Sequence, residues 1–473
     1  MTSLDAHNKR VRYDLEALGL NEPTWVVPRP GVYDVVIIGG GQSGMGAAFA
    51  LRKERVSNIL ILDENPAGRE GPWLTYARMI TLRTPKELLS IDCGVPSLTF
   101  REWWVAQHGE QGWRDIDKIP RQDWMAYLKW YRDVLDLPVR NETKVNRIVP
   151  VGGGEHELHL LTPSGPQTIK ARKVVLATGI QGGGEWHTPD FVKEALPKSR
   201  YAHTSEDIDY EALKGRRVAI LGGGASAFDN AQHALNRGVA KACVFMRREK
   251  MPRINPIRFM EKTGVVPRFL SLDDATKYEV ISHFVRLNQP PTNDTFQRSA
   301  SWPGFELHLG SPWLSVTDTA DGVEVETPKG RFTYDFVVLS TGMLTDVKLR
   351  PELNDVAEYI ARWSDRFDAP EDIRNPLLDI HPYLGDGFEY LPRTEAGGEK
   401  VHGLFAFNYS ALMTHGLSAS ALTGLPYALP RLARGVADQL FLDERQTWLD
   451  DYLDYDDVEF VAEVAAEEPK IEA

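Results

Sequence analysis

The feature that most constrains this chain is a strand, a glycine-rich turn and a helix that occur in that order twice. Residues 33–38 (YDVVII) form a short apolar run of the kind a buried strand uses. They lead into GGGQSG and then into a stretch with the apolar spacing of a helix. Gly39, Gly41 and Gly44 fill the pattern G-x-G-x-x-G, with Ser43 before the last glycine. The first glycine permits a tight turn, the second lets the backbone approach a pyrophosphate, and the third packs helix closely on strand. Phosphates would sit on the helix N-terminus, where free N–H groups and the helix dipole favour an anion. The next predicted strand, residues 58–62, ends in Asp63, nineteen residues after Gly44. An acid there accepts hydrogen bonds from an adenosine ribose, and Glu64 is the neighbouring alternative.

The second copy runs from residues 217–221 through GGGASA into a helix beginning FDNAQHAL, with Gly222, Gly224 and Ala227 in the three key places and Ser226 before the last. Its next strand, residues 242–246, is followed by Arg247 and Arg248 where an NAD-binding unit would carry an acid. Two guanidinium groups at that place suit a ribose 2′-phosphate, which selects NADPH. Two further apolar strands run into small-residue turns at Gly179 and Gly342 and bracket the second unit. The fold class expected is α/β, with two Rossmann-like dinucleotide-binding domains and the NADPH domain inserted in a discontinuous FAD domain. The division is a 1–31 N-terminal extension, FAD segments at 32–200 and 332–442, and an NADPH segment at 201–331. A helical insertion near 255–313 is too long for a simple connection and suggests a lid or substrate-facing subdomain. An acidic tail covers 443–473.

Bulk properties narrow the class further. With 473 residues, 42% of them hydrophobic, the chain can bury a core spanning two or three domains. The net charge of −13 is concentrated: residues 443–473 hold twelve acids against Arg445 and Lys470. The body is nearly neutral, and no nucleic-acid partner is expected. Trp448, Tyr452, Tyr455 and Phe460 leave room in the tail for a docked helix or a homo-oligomer contact. No run approaches the roughly 18 apolar residues of a membrane span, and the first residues are too polar for a signal peptide. A cytoplasmic protein without a membrane partner is the expectation. The only cysteines, Cys93 and Cys243, are far apart and fit neither a redox dithiol nor a zinc spacing.

The order of motifs from about residue 32 to 442 resembles the class B flavin-dependent monooxygenases, which include flavin-containing monooxygenases, amine N-hydroxylases and Baeyer-Villiger enzymes. GREGPW, ending in Trp73, is similar to the family's turn over the FAD, and TLRTPK (81–86) to the segment beside the flavin ring. Thr84 stands where the family commonly has Asn. Arg78, Arg83 and Lys86 fall in that region and could hold a carboxylate or the peroxide. The place that matches the substrate lysine of ornithine hydroxylases is Ala77. His203, in HTS, resembles the histidine of an N-hydroxylase hinge near NADPH, although Pro197 and Ser199 replace two fingerprint residues. Asn408 and the stretch 414–420 resemble the segment that closes over the flavin pyrimidine. A helix starting around Leu417, with His415 and Gly416 before it, would aim N–H groups at the reduced ring.

The resemblance implies FAD and NADPH as cofactors, with O2 and a small molecule as substrates. One oxygen atom would be inserted through a flavin C4a-(hydro)peroxide, with N-hydroxylation favoured over sulfoxidation or Baeyer-Villiger oxidation. The flavin carries the chemistry, and the protein supplies position, electrostatics and exclusion of water. An NADPH oxidase, or another flavoprotein reductase without a redox disulfide, is the alternative.

Overall fold

The computed structural model describes residues 3–20, 22–88, 91–419 and 421–462. Both repeated units fold as the pattern requires. In the first, strand Val32–Ile38 pairs in parallel with Ile59–Leu62 on one side and with the end of Gly165–Leu176 on the other. Helix Gln42–Lys53 links the first two and buries nine consecutive residues from Ser43 to Leu51. In the second, strand Arg217–Leu221 lies between Lys241–Phe245 and Phe336–Leu339, all parallel. Helix Ala225–Asn236 follows its glycine turn.

Each unit also carries an antiparallel three-stranded meander, which in the first unit runs on into the parallel strand itself and in the second is a separate sheet just before Phe336–Leu339. In the first unit it is Lys144–Gly152, Glu155–Thr162 and the start of Gly165–Leu176. In the second it is Ser315–Thr319, Gly322–Thr327 and Gly330–Tyr334. The turns at Gly179 and Gly342 therefore play the same part, each ending the strand beside a glycine turn.

This equivalence moves one expected boundary. Strand Phe336–Leu339 was placed with the FAD segment from 332, but it is internal to the second sheet, between Arg217–Leu221 and Tyr201–His203. Only afterwards does Met343–Thr345 pair antiparallel with Gly184–Trp186 in a separate two-stranded sheet, and the chain rejoins the first sheet at Leu404–Phe405, parallel to Gly165–Leu176. The expected insertion is also shorter at its end. Its helices run from Pro256–Lys262 to Asn293–Ala300, and Phe305–His308 then joins the second sheet beside Lys241–Phe245.

The C-terminal helix Leu425–Asp443 packs against Gln42–Lys53, with Leu429 touching the position where Gly46 lacks a side chain. The acidic tail does not begin at 443, because Asp443 and Glu444 are bound to the body. Asp443 accepts from the buried Lys173 at 2.6 Å, and Glu444 accepts from Arg172 at 2.9 Å and Arg29 at 2.8 Å. Beyond them, helix Arg445–Leu453 buries no residue, and its Trp448 stacks on Phe441 at 4.9 Å.

Candidate functional site

Both glycine turns meet the next strand so closely that a side chain is excluded. A Cβ on Gly39 would overlap the carbonyl oxygen of Ala177, and one on Gly44 the carbonyl oxygen of Gly39. In the second unit a Cβ on Gly222 would overlap the carbonyl oxygen of Ser340. The middle glycines differ in kind. Gly41 and Gly224 have almost the same extended backbone, φ −76° with ψ −172° and φ −78° with ψ 171°. A Cβ on Gly41 would meet nothing nearer than 3.8 Å, and one on Gly224 nothing within 4 Å. No packing or strain in the protein demands glycine there. Space kept open at a helix N-terminus fits the close approach of a phosphate.

Gly41 opens onto a cavity of about 1360 Å³ that runs past Gly39, Gln42 and Ser43. That volume exceeds a drug-sized pocket and suits a dinucleotide together with a substrate. At one end stand Asp63, Glu64 and Asn65. Asp63 is buried, with Oδ2 accepting from the Gly40 N–H at 2.7 Å and Oδ1 from the Asn65 N–H at 2.8 Å. Burial raises its pKa, and these backbone donors oppose the shift. Asp63 thus closes the glycine turn from below, while Glu64 is exposed and pairs with Lys144 at 3.3 Å. Trp73, Gly179 and Thr423 also line the cavity, as do Thr84, Lys118, Asn255 and the pair Arg83 and Arg258, which a hydrogen bond from the Arg258 guanidinium to the Arg83 carbonyl joins.

Several residues given catalytic or cofactor roles from the sequence lie elsewhere. Arg78 is outside the cavity: Nη1 donates to the Thr75 carbonyl at 2.7 Å, and the guanidinium lies 6.0 Å from the Tyr210 ring. Lys86 spends its ammonium on the carbonyls of Trp113 and Ile116, at 2.7 and 2.6 Å. Asn408 is a buried staple. Its Nδ2 donates to the Leu176 carbonyl at 3.1 Å, and its Oδ1 accepts from the N–H and hydroxyl of Ser410 at 2.9 and 2.7 Å. His203 is buried against Trp186, with Nδ1 2.8 Å from the Ser205 hydroxyl. Burial lowers it to about 4, so the ring is neutral at pH 7. His415 stacks on Phe388 at 3.8 Å, bonds the Gly385 carbonyl, and is lowered by burial to about 3.

The helix expected at Leu417 begins eight residues later, at Leu425, with Pro426 in its first turn. Gly416 turns the chain at φ 66°, directly against the Phe269 ring, and Leu417 is buried. Residues 421–423, not 415–417, reach the cavity, and Ser420 lies outside the described residues. In the second unit Arg247 is exposed beside the strand end. Arg248 instead donates to the carbonyls of Arg286 and Leu287, at 2.8 and 3.2 Å. Gly342 and Ser226 keep their places at the second turn but do not line the large cavity.

Sequence reasoning missed Gln42, Asn65, Lys118 and Arg258, all of which line the cavity. Gln42 was legible as a variable position inside the glycine motif, and Asn65 as a turn former after two acids. Lys118 and Arg258 carry no local signal, since only folding brings them to the cavity.

The matches to known proteins follow this geometry. The family described as FAD-NAD(P)-binding matches residues 36–181, and the L-lysine 6-monooxygenase/L-ornithine 5-monooxygenase family matches residues 113–296. An FAD-dependent urate hydroxylase of Xanthomonas campestris pv. campestris is 59% identical over 458 residues, covering 96% of each chain. The chain belongs to the class B flavin-dependent monooxygenases. The monooxygenase uses FAD and NADP(H), and two solved structures share its fold. An ornithine hydroxylase of Pseudomonas aeruginosa has a TM-score of 0.68 at 20% identity, covering 86% of this chain and 100% of that one. A cadaverine monooxygenase of Erwinia amylovora has a TM-score of 0.63 at 18% identity, covering 92% and 99%. Among the described residues no helix is long and apolar enough to cross a membrane.

Proposed function

We propose that this monooxygenase hydroxylates urate or a closely related oxidised purine at the expense of NADPH and O2. The likeness over 96% of both chains to a urate hydroxylase carries the reading. The polar lining of the cavity agrees with it in chemistry. Arg83, Arg258, Lys118 and the carboxamides of Asn255 and Asn293 line it, and a planar anion with several carbonyl and N–H groups needs such donors and acceptors. FAD would be held by Gly39, Gly41, Ser43 and Gly44 at its pyrophosphate, by Asp63 and Glu64 at its ribose, and by Trp73, Thr84 and Gly179 further along. NADPH would be held by Gly222, Gly224, Ser226 and Ala227, with Arg247 at the 2′-phosphate. Bound flavin supplies two-electron reduction and oxygen activation. The chain's own residues position both nucleotides, and buried side chains such as Trp73 and Leu82 keep water from one wall of the cavity.

The N-hydroxylation expected from the sequence is the second reading, favoured by the match of residues 113–296 to the lysine and ornithine monooxygenases. The substrate lysine has no counterpart at Ala77, and Lys86 is bound to backbone carbonyls. NADPH oxidation measured with urate, xanthine, ornithine, lysine and cadaverine, with hydrogen peroxide followed in parallel, separates the readings. Urate should accelerate NADPH oxidation while suppressing hydrogen peroxide. Acceleration by an amine and none by a purine would overturn the proposal.

A further inference from the structure

Helix Ala225–Asn236, which opens at the second glycine turn, is fastened directly to the flavin side of the cavity by Asp229, and the next residue, Asn230, touches that side only through Tyr210 of its own unit. Asp229 is 3% exposed, and its carboxylate contacts the guanidinium of Arg83, 146 residues earlier in the chain. Asn230 accepts from the Tyr210 hydroxyl at 2.7 Å, and Tyr210 lies under Arg78. Burial opposes ionisation of Asp229, and Arg83 is the strongest influence restoring it. Thr295 adds only a 3.5 Å contact.

Arg83 also lines the cavity, and its own carbonyl accepts from Arg258 at 2.8 Å. A third tie between the same parts, Lys118 to Asp294 at 2.9 Å, is about 30% exposed on both sides and is screened by solvent. Removing one partner of a buried pair strands the other charge, so Arg83 and Asp229 hold one relative placement far more strictly than the surface tie does.

We propose that Arg83 and Asp229 are a positioning pair that sets the nicotinamide-nucleotide helix at a fixed distance from the flavin-side segment, and so governs the rate of hydride transfer. In that step a hydride leaves NADPH, which is oxidised to NADP⁺, and its electron pair reduces FAD. Neither residue gives or takes a proton. Because the pair touches neither glycine turn, its loss should leave capture of both nucleotides intact and degrade their alignment. A displacement of about 1 Å can cost up to about a hundredfold in rate.

The test is anaerobic stopped-flow reduction of the flavinated enzyme by NADPH in Asp229→Asn, Arg83→Met and Arg83→Lys. The variants should keep their flavin and bind NADPH within about threefold of wild type. Reduction at saturating NADPH should slow by about tenfold or more, with Arg83→Lys recovering part of the loss. Reoxidation by O2 of dithionite-reduced Asp229→Asn, which needs no nicotinamide and leaves Arg83 in the cavity wall, should not change. Arg200→Ala, which breaks the surface pair with Asp318, serves as the unaffected control. Unchanged reduction rates would overturn the proposal, as would slowing that saturating NADPH abolishes. Loss of flavin or fold in all three variants would make the pair a folding element and refute it equally.

Discussion

Replacing Gly41 by valine should give a folded protein that binds its flavin more weakly, and the structure supplies both halves of that statement. The backbone at Gly41 has φ −76°, which any residue adopts, and an added Cβ meets nothing closer than Gly71 Cα at 3.8 Å. The apo fold should therefore change in stability by no more than about 0.5 kcal/mol. The same Cβ and its methyl groups occupy the space reserved for the pyrophosphate. Forcing extra carbons into a filled site costs about 1–3 kcal/mol, which is roughly fivefold to more than a hundredfold in affinity. Gly44→Ala is the contrasting case, because its Cβ would overlap the Gly39 carbonyl and the turn itself must yield. It should lose more than about 3 kcal/mol of stability. Thermal melts of the apo proteins and fluorescence titration with FAD measure the two quantities. A Gly41→Val protein that titrates with FAD at wild-type affinity would show that the pyrophosphate lies elsewhere.

Four other outcomes follow. Wild type should prefer NADPH to NADH, and Arg247→Ala should weaken NADPH alone by about tenfold, the value of one exposed charge-assisted hydrogen bond of about 1.5 kcal/mol. Arg248→Ala should instead cost stability, since its guanidinium holds the carbonyls of Arg286 and Leu287; steady-state kinetics with both nucleotides and a thermal melt separate the two. Cys93→Ser with Cys243→Ser should leave NADPH turnover nearly intact, because burial raises both thiols to about 12 and no thiolate is available; complete loss in a folded, flavinated protein would point to thiol chemistry. Burial holds His156, His203 and His381 at about 4, below the ordinary 6.5, so the unfolded chain takes up protons that the folded chain refuses. Their contribution is complete above about pH 6.5 and falls toward pH 4 at roughly 1.4 kcal/mol per unit for each ring, and His156→Gln should flatten that slope in denaturant titrations.

The backbone of both nucleotide units was legible because G-x-G-x-x-G describes backbone geometry, which is local in sequence. Gly39, Gly44 and Gly222 stand where a side chain would strike a carbonyl, and Asp63 stands where it closes the turn. The side-chain roles were less legible, because a resemblance gives position along the chain but not the partner. Arg78, Arg83 and Lys86 are three cations in nine residues, yet one lies over the Tyr210 ring, one meets a carboxylate 146 residues away, and one bonds two carbonyls. Asn408 and His415 read as polar groups beside a flavin, and both are buried outside the cavity lining, Asn408 bonded to Leu176 and Ser410 and His415 stacked on Phe388. The helix near Leu417 was misplaced because Gly416 and Gly424 both permit a turn there, and Pro426 favours a first helical turn only at the second. Strand Phe336–Leu339 was assigned to the wrong sheet because its apolar run and its Thr-Gly ending are the same as those of its counterpart in the first unit.

The most direct test of the account is turnover of the flavinated enzyme with NADPH and urate under ¹⁸O2, followed by mass spectrometry of the product. One ¹⁸O atom per product molecule, with none acquired from H2¹⁸O in the converse experiment, is the predicted result. A product whose new oxygen comes from water, or NADPH consumption that yields only labelled hydrogen peroxide, would contradict it.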